Sequence, residues 1–313
     1  MSRPKEIVLI SGKGGTGKTS LTASFAALAK DTVLADCDVD AADLHLLLNP
    51  KVIEQGPFVS GVLATIDQEE CVQCGNCLYH CRFKAVKRTV ENGEVRFDID
   101  PYRCEGCGVC GHFCPSLAIN LEDRTCGEWF VSETRYGPMV HARLGIASEN
   151  SGKLATFVRD EARKRAEERG TPLVIVDGPP GVGCPVIASV TGASLLIIVT
   201  EPTVSGEHDL DRVLDLAAHF RVPAAVVVNK WDINPEMTER IAQRARERGA
   251  TALRRLPYDR AMVASQLAAT PVAAWNDGPL SEAVRGVWSE ITELIEGLPS
   301  ATPPRRAIAP SSN

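Results

Sequence analysis

Short apolar runs alternate with helical stretches along most of the chain. Five runs consist mainly of Val, Ile, Leu and Ala and have the length of buried strands: 6–10, 32–36, 173–177, 194–200 and 223–228. Five longer stretches are predicted to be helices: 17–30, 152–170, 207–220, 235–249 and 280–298. Continuous apolar strands separated by helices are typical of a mostly parallel sheet that is covered on both faces. The pattern therefore predicts an α/β fold.

This alternation is interrupted once. It stops before residues 63–122, which we predict to form a small inserted domain, and it resumes at 127–148, where we predict a strand and a hairpin. The flanking segments, 1–62 and 123–300, are then the two parts of one discontinuous α/β domain. The last residues, 301–313, are rich in Pro and Ser and are predicted to be a disordered tail.

The first predicted strand leads into the segment SGKGGTGKTS, residues 11–20, which fits the phosphate-loop pattern G-x-x-x-x-G-K-[ST]. Backbone N–H groups at the start of the following helix can cradle phosphate oxygens. We expect Lys18 to reach the β- and γ-phosphates and the Thr19 hydroxyl to ligate Mg²⁺. The predicted nucleotide-binding residues of this loop are Gly12, Gly14, Gly15, Thr16, Gly17, Lys18, Thr19 and Ser20.

Composition and charge narrow the class of protein. The 313 residues are 44% hydrophobic and 24% charged, as in soluble globular proteins, and the net charge of −6 disfavours nucleic acid or an anionic membrane as a partner. No apolar run approaches the roughly 18 residues of a membrane helix, and the first apolar stretch is too short for a signal peptide. We therefore expect a cytoplasmic protein, where disulfides are rare, and the eleven cysteines need another role.

Eight of these cysteines form two copies of the run C-x2-C-x2-C-x3-C, the signature of a two-cluster bacterial ferredoxin. In such runs the fourth thiolate ligates the other cluster. The predicted ligands of one 4Fe–4S cluster are Cys71, Cys74, Cys77 and Cys114, and those of the second are Cys104, Cys107, Cys110 and Cys81. The alternative is a pair of zinc sites, but zinc does not need the third and fourth cysteines at this spacing.

The two cysteine runs differ at one position. A proline usually follows the fourth cysteine, and Pro115 does so in the second run, but Arg82 takes that place in the first. We expect the difference to affect solvent access at Cys81 rather than ligation.

Three motifs together resemble the MinD/Mrp-type branch of phosphate-loop ATPases, to which the nitrogenase iron protein also belongs. They are KGGTGKT at 13–19, DCDVDAADL at 36–44 and VDGPPG at 176–181. With the cysteine-rich block after its second strand, the chain is similar to MinD-superfamily ATPases that contain an inserted ferredoxin domain. The similarity extends from residue 5 to about residue 298.

The resemblance implies roles for residues beyond the phosphate loop. Asp177 is similar to the Walker B carboxylate, which binds magnesium through water, and Gly181 is similar to the switch glycine, whose N–H senses the γ-phosphate. Asp38 corresponds to the first-switch aspartate that positions the attacking water. Asp36 and Asp40 are close enough in sequence to share or replace that role.

Lys13 corresponds to the signature lysine of this family, which acts on the partner subunit. Two subunits face each other across their nucleotides, and each lysine contacts the phosphates that its partner binds. A cation delivered in this way stabilises the charge that develops in phosphoryl transfer. The resemblance therefore implies an ATP-dependent homodimer with four catalytic residues: Lys13, Lys18, Asp38 and Asp177.

The base-binding residues are less clearly marked. The segment NKWD, 229–232, matches the N-K-x-D element with which small GTPases bind guanine, whereas in MinD-like proteins the asparagine at this place contacts the base of ATP. The segment LPYD, 256–259, resembles the loop that closes the adenine pocket. We predict ATP as the nucleotide, with Asn229, Pro257 and Asp259 as binding residues. Asp232 is the feature that favours GTP.

Three cysteines remain outside the two runs. Cys184 lies at the offset from Asp177 where the nitrogenase iron protein carries a cluster-bridging cysteine, so this resemblance makes it a candidate ligand between subunits. The alternative is that Cys184 is a small buried hydrophobic residue. We expect Cys37 and Cys126 to lie in the core.

Two functions from different classes fit these motifs. The first is an ATP-gated electron carrier, in which closure of the dimer brings two 4Fe–4S clusters to a redox partner protein. The second is a regulatory or assembly ATPase whose clusters are structural or sense redox state. Transfer of a preformed cluster to a client protein ranks below both, because two complete ferredoxin sites hold their clusters tightly. The first switch region, residues 38–48, precedes the insert by about fifteen residues, so a movement of the switch has a short path to the clusters, which favours the first function.

Overall fold

The computed structural model describes residues 3–91, 93–145 and 151–298, and the predicted disordered tail, 301–313, lies outside them. The strands are β1 Lys5–Ser11, β2 Val33–Asp36, β3 Lys51–Ile66, β4 Val86–Glu91, β5 Glu94–Ile99, β6 Ile119–Thr134, β7 Gly137–Leu144, β8 Leu173–Pro180, β9 Leu195–Thr200, β10 Ala224–Val228 and β11 Thr251–Ala252. The helices are α1 Lys18–Leu28, α2 Leu44–Leu48, α3 Asn76–His80, α4 Val109–His112, α5 Ser151–Arg169, α6 Cys184–Val190, α7 Val204–Phe220, α8 Pro235–Glu247, α9 Ala261–Leu267, α10 Val272–Trp275 and α11 Pro279–Gly297. A 3-10 turn spans Trp231–Ile233.

Nine of the strands form one sheet in the order β11-β10-β9-β1-β8-β2-β7-β6-β3, and β4 and β5 form a separate antiparallel pair. From β11 to β7, each strand is parallel to its neighbours. The predicted α/β fold with a mostly parallel sheet is confirmed. None of the helices in the described ranges has the length and apolar composition to cross a membrane.

The chain divides into two compact units. The sheet unit consists of Met1–Gly56, Trp129–Arg143 and Ser151–Asn313, and the cysteine unit consists of Pro57–Glu128 and Leu144–Asn150. The predicted insert, 63–122, lies within the bounds of the cysteine unit. Two of the boundaries fall inside strands β3 and β6, so these strands run from one unit into the other.

Strand β3 is an element that the hydrophobic pattern does not reveal. Only three of its 16 residues are buried, and they are not consecutive, so no buried apolar run marks it. It also contains Gly56, Pro57 and Gly61, residue types that normally interrupt strands. At Gly56 a Cβ would lie 2.8 Å from the Trp129 ring, so the close approach of that ring to the backbone requires a glycine there.

The core of the sheet unit fixes the position of the first helix. Apolar side chains of β1, β2 and β8 are fully buried, including Leu9, Leu34 and Ile175. On α1, Phe25 packs in the same cluster and stacks on Trp288 of α11, with 5.3 Å between ring centroids. Because α1 is held against both the sheet and α11, the loop between β1 and α1 has a defined place at the carboxyl end of β1.

Candidate nucleotide site and cysteine cavities

The loop between β1 and α1 has the backbone that the phosphate-loop motif predicts. Gly15 and Gly17 have φ values of 81° and 92°, a region that favours glycine. A Cβ on Gly12 would lie 2.2 Å from the Cβ of Asp209, so this position also requires glycine. The first N–H groups of an α-helix have no partner within the helix, so the start of α1 presents hydrogen-bond donors to the loop.

Asp177 is the centre of the polar network beneath this loop. Its carboxylate is buried and accepts hydrogen bonds from the hydroxyls of Thr19 and Thr22, each at 2.7 Å. The ammonium group of Lys18 lies 2.9 Å from the same carboxylate. Burial alone would lower the pKa of Lys18, but Asp177 and Asp38 raise it above its ordinary value. The structure thus brings together three of the predicted site residues, Lys18, Thr19 and Asp177.

The structure distinguishes the three candidate carboxylates of the first switch region. The Asp38 carboxylate lies 3.5 Å from Lys18 Nζ and lines the adjacent cavity, and burial raises its pKa to about 6 against the lowering effect of Lys18. Asp36 is fully buried, and its carboxylate accepts the backbone N–H groups of Asp38 and Leu44, both at 3.2 Å. Asp40 is exposed. Asp38 is therefore placed to act on a ligand, and Asp36 holds the backbone of this segment.

A cavity of about 500 Å³ lies against the loop. Seven of the predicted loop residues line it: Gly14, Gly15, Thr16, Gly17, Lys18, Thr19 and Ser20. The Thr16 hydroxyl is buried there with no hydrogen-bond partner among the described residues. An unpaired buried hydroxyl beside a lysine and helix N–H groups fits a phosphate oxygen, so the donor set suits a nucleotide with Mg²⁺.

A second cavity of about 220 Å³ contains the predicted base-binding residues Asn229, Pro257 and Asp259. It shares Gly15, Gly17, Ser20 and Gln266 with the larger cavity. The Gln266 side chain donates a hydrogen bond of 2.7 Å from Nε2 to the Ser20 hydroxyl, at the boundary between the two cavities. No sequence motif marks Gln266, because it lies on α9, far along the chain from the loop that it contacts.

The asparagine and the aspartate of the NKWD segment have different roles. Asn229 donates a hydrogen bond of 2.8 Å from Nδ2 to the carbonyl of Thr16, so its amide holds the phosphate loop. The carboxylate of Asp232 accepts the backbone N–H of Tyr258 at 2.7 Å, which fixes the loop that lines the second cavity. This contact gives Asp232 a structural role that does not require guanine.

Gly181 and Lys13 each make polar contacts with their own chain that the sequence does not predict. Gly181 has φ of +90°, and its N–H donates a hydrogen bond of 2.8 Å to the carbonyl of Ser11. The ammonium group of Lys13 points to the start of α7. It lies 3.4 Å from the carboxylate of Glu201, 3.3 Å from the hydroxyl of Thr203 and 3.1 Å from that of Ser205.

Two small cavities of the cysteine unit sort the eight cysteines into two groups of four. One is lined by Cys71, Cys74, Cys77 and Cys114, and the other by Cys81, Cys104, Cys107 and Cys110. Each group takes three thiols from one run and the fourth thiol from the other, which is the pairing that the sequence predicts. Within the described ranges, no three Cys, His, Asp or Glu side chains converge closely enough to share a single ion.

The backbone around these cavities suits a bulky thiol-bound group. Gly75, Gly106 and Gly108 all have positive φ, and a Cβ on Gly106 would lie 2.2 Å from the carbonyl oxygen of Val62. The N–H of Ala85 donates to the Cys81 sulfur at 3.3 Å. Four thiols that line one cavity, together with glycine turns, fit the donor set of a 4Fe–4S cluster, whose four irons bind one thiolate each.

The three other cysteines are divided between core and surface. Cys37 and Cys126 are buried, as predicted, and their thiols contact the carbonyl oxygens of Ala155 and Ser60. Cys184 begins α6 and is exposed, so the alternative that it is a small buried hydrophobic residue is wrong.

The chain is similar in sequence to several known proteins. The family model described as the CobQ/CobB/MinD/ParA nucleotide binding domain matches residues 7–272. The protein MJ0578 of Methanocaldococcus jannaschii is 35% identical over 233 residues, which are 73% of this chain and 79% of that protein. Pyruvate synthase subunit PorD of the same organism is 41% identical over 54 residues, which are 17% of this chain and 59% of that subunit.

The fold is also similar to that of solved structures. MinD of Pyrococcus horikoshii, determined with Mg-ADP, gives a TM-score of 0.57 at 14% identity over 93% of this chain and 97% of that chain. The MinC:MinD complex of Aquifex aeolicus contains a chain with a TM-score of 0.55 at 18% identity, over 92% of this chain and 96% of that one. At these identities the likeness concerns the fold.

Replacing Asp232 tests whether its carboxylate reads the base or supports a loop. Asp232→Ala removes the acceptor for the Tyr258 N–H, so we expect ATP to bind about 5- to 10-fold more weakly, the effect of losing one hydrogen bond of about 1 kcal/mol. Asp232→Asn keeps an oxygen acceptor and should bind ATP nearly as well as the wild type. Calorimetric titration with ATP and GTP measures both. A change of preference between the two nucleotides would contradict the structural role.

Proposed function

The chain belongs to the CobQ/CobB/MinD/ParA nucleotide-binding family, and on that premise we propose that it is an ATPase whose nucleotide-dependent homodimer gates electron transfer through two 4Fe–4S clusters to a redox partner protein. The observation that carries the proposal is that one chain contains both a phosphate-loop cavity and two cavities lined by four thiols each. The sheet unit would bind and hydrolyse the nucleotide, and the clusters of the cysteine unit would carry the electrons.

The nucleotide chemistry follows from the residues of the larger cavity. Lys18 and the N–H groups of the loop would bind the phosphates, and the Thr19 hydroxyl and the Asp177 carboxylate would hold Mg²⁺, which would offset the phosphate charge. Asp38 lines the same cavity and is the residue that would orient the attacking water. Asn229 and the loop with Pro257 and Asp259 lie around the adjacent base cavity.

The role of Lys13 requires a second subunit. Its ammonium group is held by Glu201, Thr203 and Ser205 of its own chain, and Lys13 is not among the residues that line the larger cavity. The homodimer would bring each Lys13 to the partner's phosphates. Gly181 would sense the γ-phosphate by exchanging its hydrogen bond with Ser11, and the exposed Cys184 would lie in the segment after that switch.

The clusters would be held by the eight cysteines in the two groups that the cavities define. A 4Fe–4S cluster supplies a site for one transferable electron, at a potential that its hydrogen bonds and solvent exposure set. The first switch segment continues through α2 into β3, the strand that enters the cysteine unit, so a change at Asp38 has a short covalent path to that unit.

Metal analysis tests the two-cluster assignment. Anaerobically purified protein should contain about eight irons and eight sulfides per chain, the sum of two 4Fe–4S clusters. Cys81→Ser should reduce both to about half, because it removes one ligand of one cluster only. Cys126→Ala, which changes a buried cysteine outside the two groups, should leave them unchanged. A colourless protein that contains zinc would contradict the assignment.

Replacing each lysine separately tests the two nucleotide roles. Lys18→Ala should abolish ATP binding, because the phosphate cavity then lacks its cation. Lys13→Ala should still bind ATP but should neither dimerise nor hydrolyse it, with turnover reduced by about 10³-fold or more. The control is Lys30→Ala, at an exposed position just after α1. Wild-type turnover in Lys13→Ala, measured by phosphate release, would show that the lysine does not act in trans.

The coupling of nucleotide to redox state is the test of the whole proposal. If ATP favours one redox state of the clusters, that state must change ATP affinity by the same factor, because linkage is reciprocal. We expect ATP affinity to differ between dithionite-reduced and oxidised protein, and the difference to shrink in Asp38→Asn and Gly181→Ala. Equal affinities under anaerobic conditions would favour the alternative function, a regulatory or assembly ATPase with structural or redox-sensing clusters.

A further inference from the structure

The three-residue spacers before the fourth cysteines form an exposed aromatic surface on the cysteine unit. Tyr79 is 86% exposed and Phe113 is 43% exposed, although both are large aromatic residues. The ring of His80 stacks on Phe113, with 3.9 Å between centroids, and lies edge-on to Tyr79 at 5.0 Å. Clustered exposed apolar residues of this kind mark interaction sites in soluble proteins.

The segment next to this surface is basic in an acidic protein. Residues 71–90 contain four Lys or Arg and neither Asp nor Glu, whereas the whole chain has a net charge of −6. Lys87 pairs with Asp100 at 2.8 Å. Arg82 and Lys84 are exposed, and neither makes an ion pair with a carboxylate in the part of the chain that the structure describes. These two cations are available to a partner.

The fold itself does not require these cations. Lys84 donates its N–H to the carbonyl of Cys81 at 3.2 Å and has φ of +55°. The second run repeats this turn: Leu117 donates to the carbonyl of Cys114 at 3.3 Å and has φ of +57°. One turn reads Arg-Phe-Lys, 82–84, and its counterpart reads Pro-Ser-Leu, so the same backbone forms without the charges.

The basic turn also lies at one particular cavity. Phe83, the residue between the two cations, is 39% exposed and lines the cavity of Cys81, Cys104, Cys107 and Cys110. Its counterpart Ser116 lines the other cavity. The two cavities therefore share the backbone of this turn, but the turn is charged and carries an aromatic residue at only one of them.

We propose that this surface is where the cysteine unit exchanges single electrons with a redox protein whose docking face carries carboxylates. The surface, here called the basic aromatic face, is made of the stacked rings of Tyr79, His80 and Phe113 and of the exposed turn that begins two residues after His80, with Arg82, Phe83 and Lys84. One electron passes between the cluster of the adjacent cavity and the partner, with no bond made or broken and no proton moved. The inference rests on the proposed function, since it requires that the cavities hold clusters. Complementary charge would set the rate of encounter more than the affinity.

The counterpart turn supplies a matched set of variants. Arg82→Pro with Lys84→Leu copies the neutral turn and removes two charges. Pro115→Arg with Leu117→Lys places the same charges at the other cavity. The control, Arg96→Gln with Arg169→Gln, removes two exposed charges elsewhere.

The measurement is the rate at which reduced protein reduces two probes in a stopped-flow instrument: an oxidised flavodoxin, which is acidic, and cytochrome c, which is basic. The neutral variant should reduce flavodoxin about ten-fold more slowly at low salt, and the deficit should vanish at high salt, since steering is screened. Its rate with cytochrome c should not fall. The Pro115→Arg, Leu117→Lys variant should reduce flavodoxin faster, and the control should behave as the wild type.

A measurement of iron content distinguishes a failure of the proposed function from a failure of the docking inference. Protein without iron–sulfur clusters would contradict the proposed function itself. With clusters present, an unchanged flavodoxin rate in the neutral variant would overturn the docking inference alone. An equal loss of rate with both probes would also overturn it. So would tight binding of the wild-type protein, but not of the neutral variant, to phosphatidylglycerol vesicles at physiological salt.

Discussion

The carboxylate of Asp177 is the constraint on which the nucleotide site depends. It is fully buried, and three donors from the first turns of α1 converge on it: Lys18, Thr19 and Thr22. A buried carboxylate is tolerated only when it is paired and hydrogen-bonded, so the helix and the strand must keep their relative position. Because β8 lies between β1 and β2, this one group aligns the phosphate loop, the helix behind it and the segment that carries Asp38.

The elements of the sheet unit could be predicted because their causes are local. Buried runs of branched residues form the central strands, and the spacing of Gly12, Gly17 and Lys18 specifies the loop. Gln266 reaches the site from α9 and has no such signal. The LPYD motif marks the loop that contains Tyr258, but it does not reveal that Asp232 fixes this loop. The hydrophobic pattern also did not predict strand β3, because exposed residues and glycines are typical of a loop.

Several alternatives that the sequence leaves open are distinguished by contacts. Among the aspartates of the first switch, burial and backbone hydrogen bonds make Asp36 structural and leave Asp38 facing the cavity. The residue type could not distinguish Asp36 from Asp38. Which of the two carboxylates faces the cavity depends on where the chain turns after β2. For the cysteines, spacing was sufficient, since two short runs with glycine turns bring the thiols together across their own unit.

The hydrogen bond from the Gly181 N–H to the Ser11 carbonyl has a consequence for how such a site tells two nucleotides apart. If Gly181 has the proposed role, its N–H is already satisfied, so a γ-phosphate would gain only the difference between a charged acceptor and a peptide carbonyl, whereas a diphosphate would offer no acceptor there and would leave the bond intact. The site would then distinguish a triphosphate from a diphosphate by exchanging one acceptor of the Gly181 N–H for another, since this N–H is never left unpaired. Such an exchange is readily reversed, and a cycling ATPase must return to its resting state after every hydrolysis.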